Sequence, residues 1–215
     1  MHSMNKGTTM NEITTQMIVA LRSKTGAGPM DCKKALIEAS GSEAEAIVIL
    51  KKKGIASASK KSLRTTQEGL IYSYIHNGNK LGVLIEVNCE TDFVARNEEF
   101  KQFASDISLQ VAATNPLYIK KEDVPPEILQ QEKEIVLAQC AGKPAPAIEK
   151  IVEGRIQKWY GENCLLEQPF IKDNAVTVGE LLTALIAKIG ENIVIKRFVR
   201  FQLGETGNNA MGETR

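Results

Sequence analysis

The chain has 215 residues, enough for one or two domains whose buried core needs no covalent staples. Hydrophobic residues make up 43% and charged residues 25%, as in an ordinary globular protein, and 27 basic against 26 acidic side chains leave a net charge of +1. That balance removes any global electrostatic argument for nucleic-acid or membrane binding, so function has to be sought in local features.

Four cysteines, Cys32, Cys89, Cys140 and Cys164, are scattered without a C-x-x-C pair, and the two histidines, His2 and His76, lie outside ligand spacing of them. No zinc site, other metal, cofactor or disulfide framework is expected; the cysteines read as small buried hydrophobes in a reducing cytosol. The apolar runs all fall short of the ~18 residues that span a bilayer, and the first residues hold no hydrophobic signal core, so no membrane partner is expected.

Residues 1–10 are polar and read as a disordered leader, with Met4 and Met10 as alternative initiators. Residues 11–54 carry three short helical patterns separated by glycines. Ile13, Met17 and Leu21 recur every four residues and share a face, and the Gly26-Ala27-Gly28 stretch ends that helix. Pro29 suits a first helical position, where no N–H is needed, and Ala35, Leu36 and Ala39 line the inner side of the second helix up to Gly41. Ser42-x-x-Glu45 is a capping-box pattern that opens a third helix, with Ile47 and Leu50 facing inward and Lys51, Lys52 and Lys53 near its carboxyl end. Residues 55–67 hold Lys60, Lys61 and Arg64 among small residues and read as a solvated helix or linker.

Residues 68–87 read as a hairpin around Asn77-Gly78, a pair that tolerates positive φ. In its second strand Leu81, Val83, Ile85 and Val87 share one face, with Leu84 and Glu86 on the other. The polar stretch 88–96, Asn-Cys-Glu-Thr-Asp-Phe-Val-Ala-Arg, then leads into a helix predicted over 97–113, whose stripe is Phe100, Phe103, Ala104, Ile107 and Val111. Two readings of that stretch stand side by side. In one, Thr91 or Asp92 caps a helix and Phe93 turns inward as core. In the other, Phe93 points outward as an anchor for a partner's pocket, with Asp92 as a charged companion.

Asn115-Pro116 ends the long helix, Asp123-Val124-Pro125-Pro126 opens another reaching Cys140, and Lys143-Pro144-Ala145-Pro146 opens one reaching Tyr160. Residues 165–171 read as a short edge strand broken by Pro169. Thr177-x-x-Glu180 repeats the capping-box pattern before a helix over 181–189, and residues 193–201 form the last strand, for which the hairpin supplies antiparallel partners. The expected class is α+β: a three-helix head over 11–54, a linker over 55–67, a core of antiparallel sheet packed with helices over 68–204, and a mobile tail over 205–215. No phosphate-binding loop, G-x-S-x-G or H-E-x-x-H motif is present, so the chain reads as a binding protein rather than an enzyme.

Beside this reading stands a resemblance. Residues 21–36, Leu-Arg-Ser-Lys-Thr-Gly-Ala-Gly-Pro-Met-Asp-Cys-Lys-Lys-Ala-Leu, resemble the amino-terminal signature of the elongation factor Ts family, and residues 86–95, Glu-Val-Asn-Cys-Glu-Thr-Asp-Phe-Val-Ala, resemble its second signature. Gln110-Val111-Ala112-Ala113, Glu153-Gly154-Arg155 and Gln168-Pro169-Phe170 extend the similarity over about 12–205. The resemblance implies a cytoplasmic guanine-nucleotide exchange factor for elongation factor Tu, with a head of the ubiquitin-associated type. It implies that Thr91, Asp92, Phe93 and Val94 wedge into the GTPase near its magnesium site, Phe93 being the intruding aromatic. It also implies that Arg22, Pro29, Met30 and Lys33 contact the GTPase domain from the head, and that Gln110 contacts the partner's distal domain.

Three departures qualify the match. Pro29 stands where the family commonly has methionine, and Gln110 where some members have histidine. The third is length: longer members carry two core subdomains, this chain has room for one, and short members pair as homodimers, so a homodimer is expected. An adaptor binding other proteins through residues 14–53, and an RNA module using the cations of 51–64, are the alternatives from other classes; the absence of interleaved aromatics speaks against RNA. The lack of an Arg-rich amphipathic leader favours a bacterial cytoplasm over an organelle.

Overall fold

A computed structural model describes residues 13–140 and 144–205; the expected leader and the tail beyond 205 lie outside the described residues. The chain is α+β, with two compact units: one runs to Leu63 and includes Thr183–Glu191, the other comprises Arg64–Leu182 and the residues from Asn192 on. Among the described residues no helix is long and apolar enough to cross a membrane.

The first unit is built on α1 (Thr15–Thr25), α2 (Pro29–Glu38) and α3 (Glu43–Lys61). Thr14 caps α1, and Gly26 ends it at φ 67°, a left-handed angle that Gly adopts without steric cost. Pro29 occupies the first position of α2. The core is small: Leu21, Cys32, Ala35, Leu36, Ala39 and Ala46 are buried, with Ile13, Met17, Ile47 and Leu50 packed against them. α3 does not stop at Gly54. It runs on to Lys61, where the lysine ammonium donates to Ile186 O at 3.4 Å. Gly54 thus sits in a helix interior, where an added Cβ would make an ordinary van der Waals contact with Ala187 Cβ at 3.5 Å.

The second unit is built on a sheet ordered β1 (Glu68–Ile75), β2 (Leu81–Cys89) and β5 (Ile193–Gln202), antiparallel throughout. The positive φ angles of the hairpin fall at Gly78 and Asn79, one residue later than Asn77-Gly78 suggests. On the inner face Val83, Ile85, Val87 and Cys89 are buried beneath α5 (Glu98–Thr114), which contributes Phe100, Phe103, Ala104, Ile107 and Val111. Asn115 closes α5 in the left-handed conformation, ahead of buried Pro116. α6 (Pro126–Ala138) and α7 (Ala145–Asn163) pack on each other, and α8 (Val178–Ile189) follows the reciprocal capping box in which Thr177 N donates to Glu180 Oε2 and Glu180 N to Thr177 Oγ1.

Residues 165–171 differ from the expected edge strand. Leu165–Glu167 is a 3₁₀ turn, and only Pro169–Phe170 (β3) is extended, pairing with β4 (Asp173–Thr177) in a separate two-stranded sheet. Proline offers no N–H to a ladder, which keeps the strand short and apart from the main sheet. All four cysteines are buried and free.

Candidate functional site

The end of β2 carries the stretch that the sequence singles out. Alternation along β2 sends Cys89 inward, and its pairing with Glu68 and Ile193 is the last rung on either side. Opposite Asn88 the neighbouring strand holds Gly69, where a Cβ would stand 2.3 Å from Val87 O. Only glycine permits that approach, so the two backbones are held together immediately before the chain leaves the sheet.

The chain then turns through Glu90 and Thr91 into α4 (Asp92–Ala95). Thr91 is its cap: Val94 N donates to Thr91 Oγ1 at 3.4 Å, and Cys89 Sγ donates to Thr91 O at 3.2 Å. Ala95 N and Arg96 N donate to Thr91 O and Asp92 O, and Asn97 starts the next helix by accepting from Glu99 N at 2.7 Å. Val94 is buried and serves as the anchor of α4 against the sheet. Phe93 precedes it by one residue, about 100° around the helix, and is 79% exposed. The two sequence readings are therefore both partly right: Thr91 caps, and Phe93 points outward. Asp92 beside it is half-exposed and bridges Arg96 at 3.0 Å, an i,i+4 surface pair worth a few tenths of a kcal/mol.

An exposed phenylalanine leaves about 1.5–3 kcal/mol of burial unrealised, which a partner's pocket can recover. Around it stand the Asp92 carboxylate and the buried Val94 anchor. Among the described residues no group of three His, Cys, Asp or Glu side chains is placed to hold a metal ion. This arrangement presents a shape and a charge.

The head residues Arg22, Pro29, Met30 and Lys33 are all exposed, Met30 at 62%. Pro29, Met30 and Lys33 lie in the first half of α2, exposed beside buried Cys32. They belong to the first unit and residues 91–94 to the second.

Gln110 departs from its expected role as a surface contact. It is 0% exposed, and its amide is used within the protein: Nε2 donates to Gln168 Oε1 at 3.0 Å and to Pro169 O at 3.1 Å, while Oε1 accepts from Ile171 N at 2.9 Å. Thr114 Oγ1 donates to the same Gln168 oxygen at 2.7 Å. A polar side chain on a buried stripe needs such partners, and here they tie α5 to β3. Sequence reading also passed over Glu90, Arg64 and Asn192, which meet beside residues 91–94; their separations of 26, 102 and 128 residues leave no local signal.

Comparison with known proteins decides the family. A model described as Elongation factor TS matches residues 55–205. A protein named Elongation factor Ts from Carboxydothermus hydrogenoformans is 58% identical over 195 residues, covering 90% of each chain, and one from Caldanaerobacter subterraneus is 59% identical over 195 residues, covering 90% of this chain and 98% of its own. A third, from Koribacter versatilis, is 57% identical over 197 residues. The chain belongs to the elongation factor Ts family. The elongation factor Ts model spans residues 91–94 and Gln110, and since ten residues follow 205, the 195-residue alignments to elongation factor Ts relatives extend well into the head.

Proposed function

We propose that this protein is a guanine-nucleotide exchange factor that binds GDP-loaded elongation factor Tu, disturbs its magnesium and nucleotide site, and promotes GDP release and GTP reloading. The observation that carries the reading is Phe93, 79% exposed on a capped helical turn whose other side is anchored by Val94. Membership of the elongation factor Ts family supports it.

The partner's Mg²⁺ bridges phosphate oxygens and protein ligands in a demanding octahedral shell. A wedge of residues 91–94, led by Phe93 with Asp92 beside it, shifts the elements that hold that shell and weakens the diphosphate's grip. By linkage, a factor that lowers nucleotide affinity is itself bound more weakly when nucleotide returns, so it leaves after each cycle. No bond in this chain is made or broken; the protein acts by favouring the empty state of its partner, as a binding protein in the cytoplasm rather than an enzyme. Arg22, Pro29, Met30 and Lys33 supply the head's contact with the GTPase domain.

The protein works as a homodimer in this reading. The outer face of the main sheet supports it: register places Ile71, Ile75, Leu84, Val199 and Phe201 on one side, and Phe201 is 66% exposed. An apolar sheet face of that kind is a candidate for cover by a second copy. Light scattering of the wild type and of Leu84→Lys tests it, the variant being expected as monomer.

The central test is stopped-flow release of fluorescent GDP from elongation factor Tu. Acceleration is expected with the wild type and is expected to be lost with Phe93→Ala at unchanged thermal stability. No acceleration at micromolar protein overturns the reading. A second reading, an adaptor working through the head alone, draws on the exposure of Met30 and Ile37 along α2. It requires that binding to elongation factor Tu survive deletion of everything after residue 67, whereas the exchange reading requires the sheet unit.

A further inference from the structure

The side chains that meet beside residues 91–94 have no part in the wedge as described. The ladder between β1, β2 and β5 ends at Cys89, yet the chain must hold its course for Glu90 and Thr91 before α4 begins. Side chains extend the pairing by one residue. The Glu90 carboxylate accepts from Asn192 N at 2.6 Å and meets Arg64 Nη1 at 3.3 Å; Asn192, itself buried, donates from Nδ2 to Arg64 O at 2.9 Å. Three segments distant in sequence are thus tied in a ring: the stretch before β1, the residue before the wedge, and the residue before β5.

We propose that this Arg64–Glu90–Asn192 clasp fixes the direction in which the 91–94 turn leaves the sheet, making Glu90 a positioning residue for Phe93. The inference rests on the exchange reading above. Phe93 projects into solvent, so its placement comes from Val94 on one side and the Glu90–Thr91 backbone on the other. Freed at Glu90, the turn samples other directions, and only the fraction in the projecting pose displaces a partner's elements. Glutamate suits the post: its Oε1 accepts from the Asn192 N–H and the Arg64 guanidinium together, and a charged acceptor makes the shorter, stronger bond. Gln retains one oxygen acceptor in the same place, and Ala retains none.

Two measurements on the full-length protein test this. The first is amide hydrogen exchange of the protein alone, read at Val94, Ala95 and Arg96 and at the β2 amides. The second is the concentration dependence of GDP release from elongation factor Tu for wild type, Phe93→Ala, Glu90→Ala, Glu90→Gln and Asn192→Ala.

For Glu90→Ala and Asn192→Ala the three turn amides are expected to exchange about tenfold faster while β2 is unchanged. The maximal release rate falls about tenfold, as it does when the competent pose drops to about a tenth of the population, and the half-saturating concentration stays within about threefold. Glu90→Gln restores most of both. Unchanged turn exchange with unchanged release overturns the proposal. So does faster exchange across turn and sheet together with a lowered melting temperature, which makes Glu90 an ordinary stabilising residue. If the wild type itself fails to speed GDP release, the exchange reading fails and the positioning role for exchange falls with it, whereas a wild type that works through Phe93 but is indifferent to Glu90 and Asn192 sinks the clasp alone.

Discussion

Phe93 and Phe100 stand seven residues apart, the first 79% exposed on the single turn of α4 and the second 0% exposed on the first turn of α5. Both helices contact β1 and β2, and each is capped by the residue before it, Thr91 and Asn97. The difference lies in which residue of each helix meets the sheet. In α4 a single inward position exists and Val94 holds it, which turns its neighbour out. In α5 the inward stripe runs over about three turns, and Phe100 falls on it with Phe103, Ile107 and Val111. Residue type does not decide the fate of an aromatic; its phase relative to the buried anchor does.

The comparison is sharpened by substitutions on the packed side. Phe100→Ala is expected to cost about 3–5 kcal/mol in chemical denaturation, since a buried ring is lost and its space cannot fully close. Deeper in the same unit, burial first and the nearby Glu167 carboxylate second push the Cys164 thiol up to about 11 from 9.0. The folded state therefore favours the neutral thiol. That contribution is complete below pH 9 and fades as pH rises toward 11, so melting temperature measured between pH 8 and 11 should fall, with Cys164→Ala flattening the fall; the full effect is no more than about 2–3 kcal/mol. Gln110→Leu keeps the volume and leaves Ile171 N–H and Pro169 O without their partner, at an expected cost of about 1–3 kcal/mol by the same denaturation assay.

On the projecting side the effects on stability are smaller. Thr91→Ala removes the cap of α4 and should cost about 1 kcal/mol, with Thr91→Ser recovering most of it. Phe93→Ala should change stability by less than about 0.5 kcal/mol while lowering GDP release from elongation factor Tu. A loss of several kcal/mol for Phe93→Ala would break the comparison outright, because it would place Phe93 in a core.

The head offers a second lesson in phase. Its buried residues are mostly small; Leu21, Ala35, Leu36 and Ala39 follow the helical spacing legible in the sequence, whereas in α3 it is Ala46 that is fully buried and the expected Ile47 and Leu50 are partly so. The boundary placed at residue 54 is not a helix end: α3 runs on to Lys61, the helix alternative that the reading of 55–67 left open, and Gly54 sits in its interior beside Ala187, a neighbour that nothing within α3 announces. Residues 165–171 failed for a related reason: β4, the partner of β3, shows no alternating apolar pattern to announce it, since Asp173, Asn174 and Ala175 are all exposed.

What the sequence determined by itself was whatever depends on near neighbours. Caps at Ser42 and Thr177, the hairpin, the α5 stripe, the two faces of β2 and the signature at 86–95 all rest on spacings of two to four residues or on short strings. Tertiary structure alone decided the outward pose of Phe93, the burial of Gln110 among Gln168, Pro169 and Ile171, and the meeting of Arg64, Glu90 and Asn192. The physical reason is that a local pattern fixes which backbone bonds a segment makes. The side a short turn presents, and the partners a buried amide or carboxylate finds, are set by segments about 25 to 130 residues away, brought close when the sheet closes over its helices.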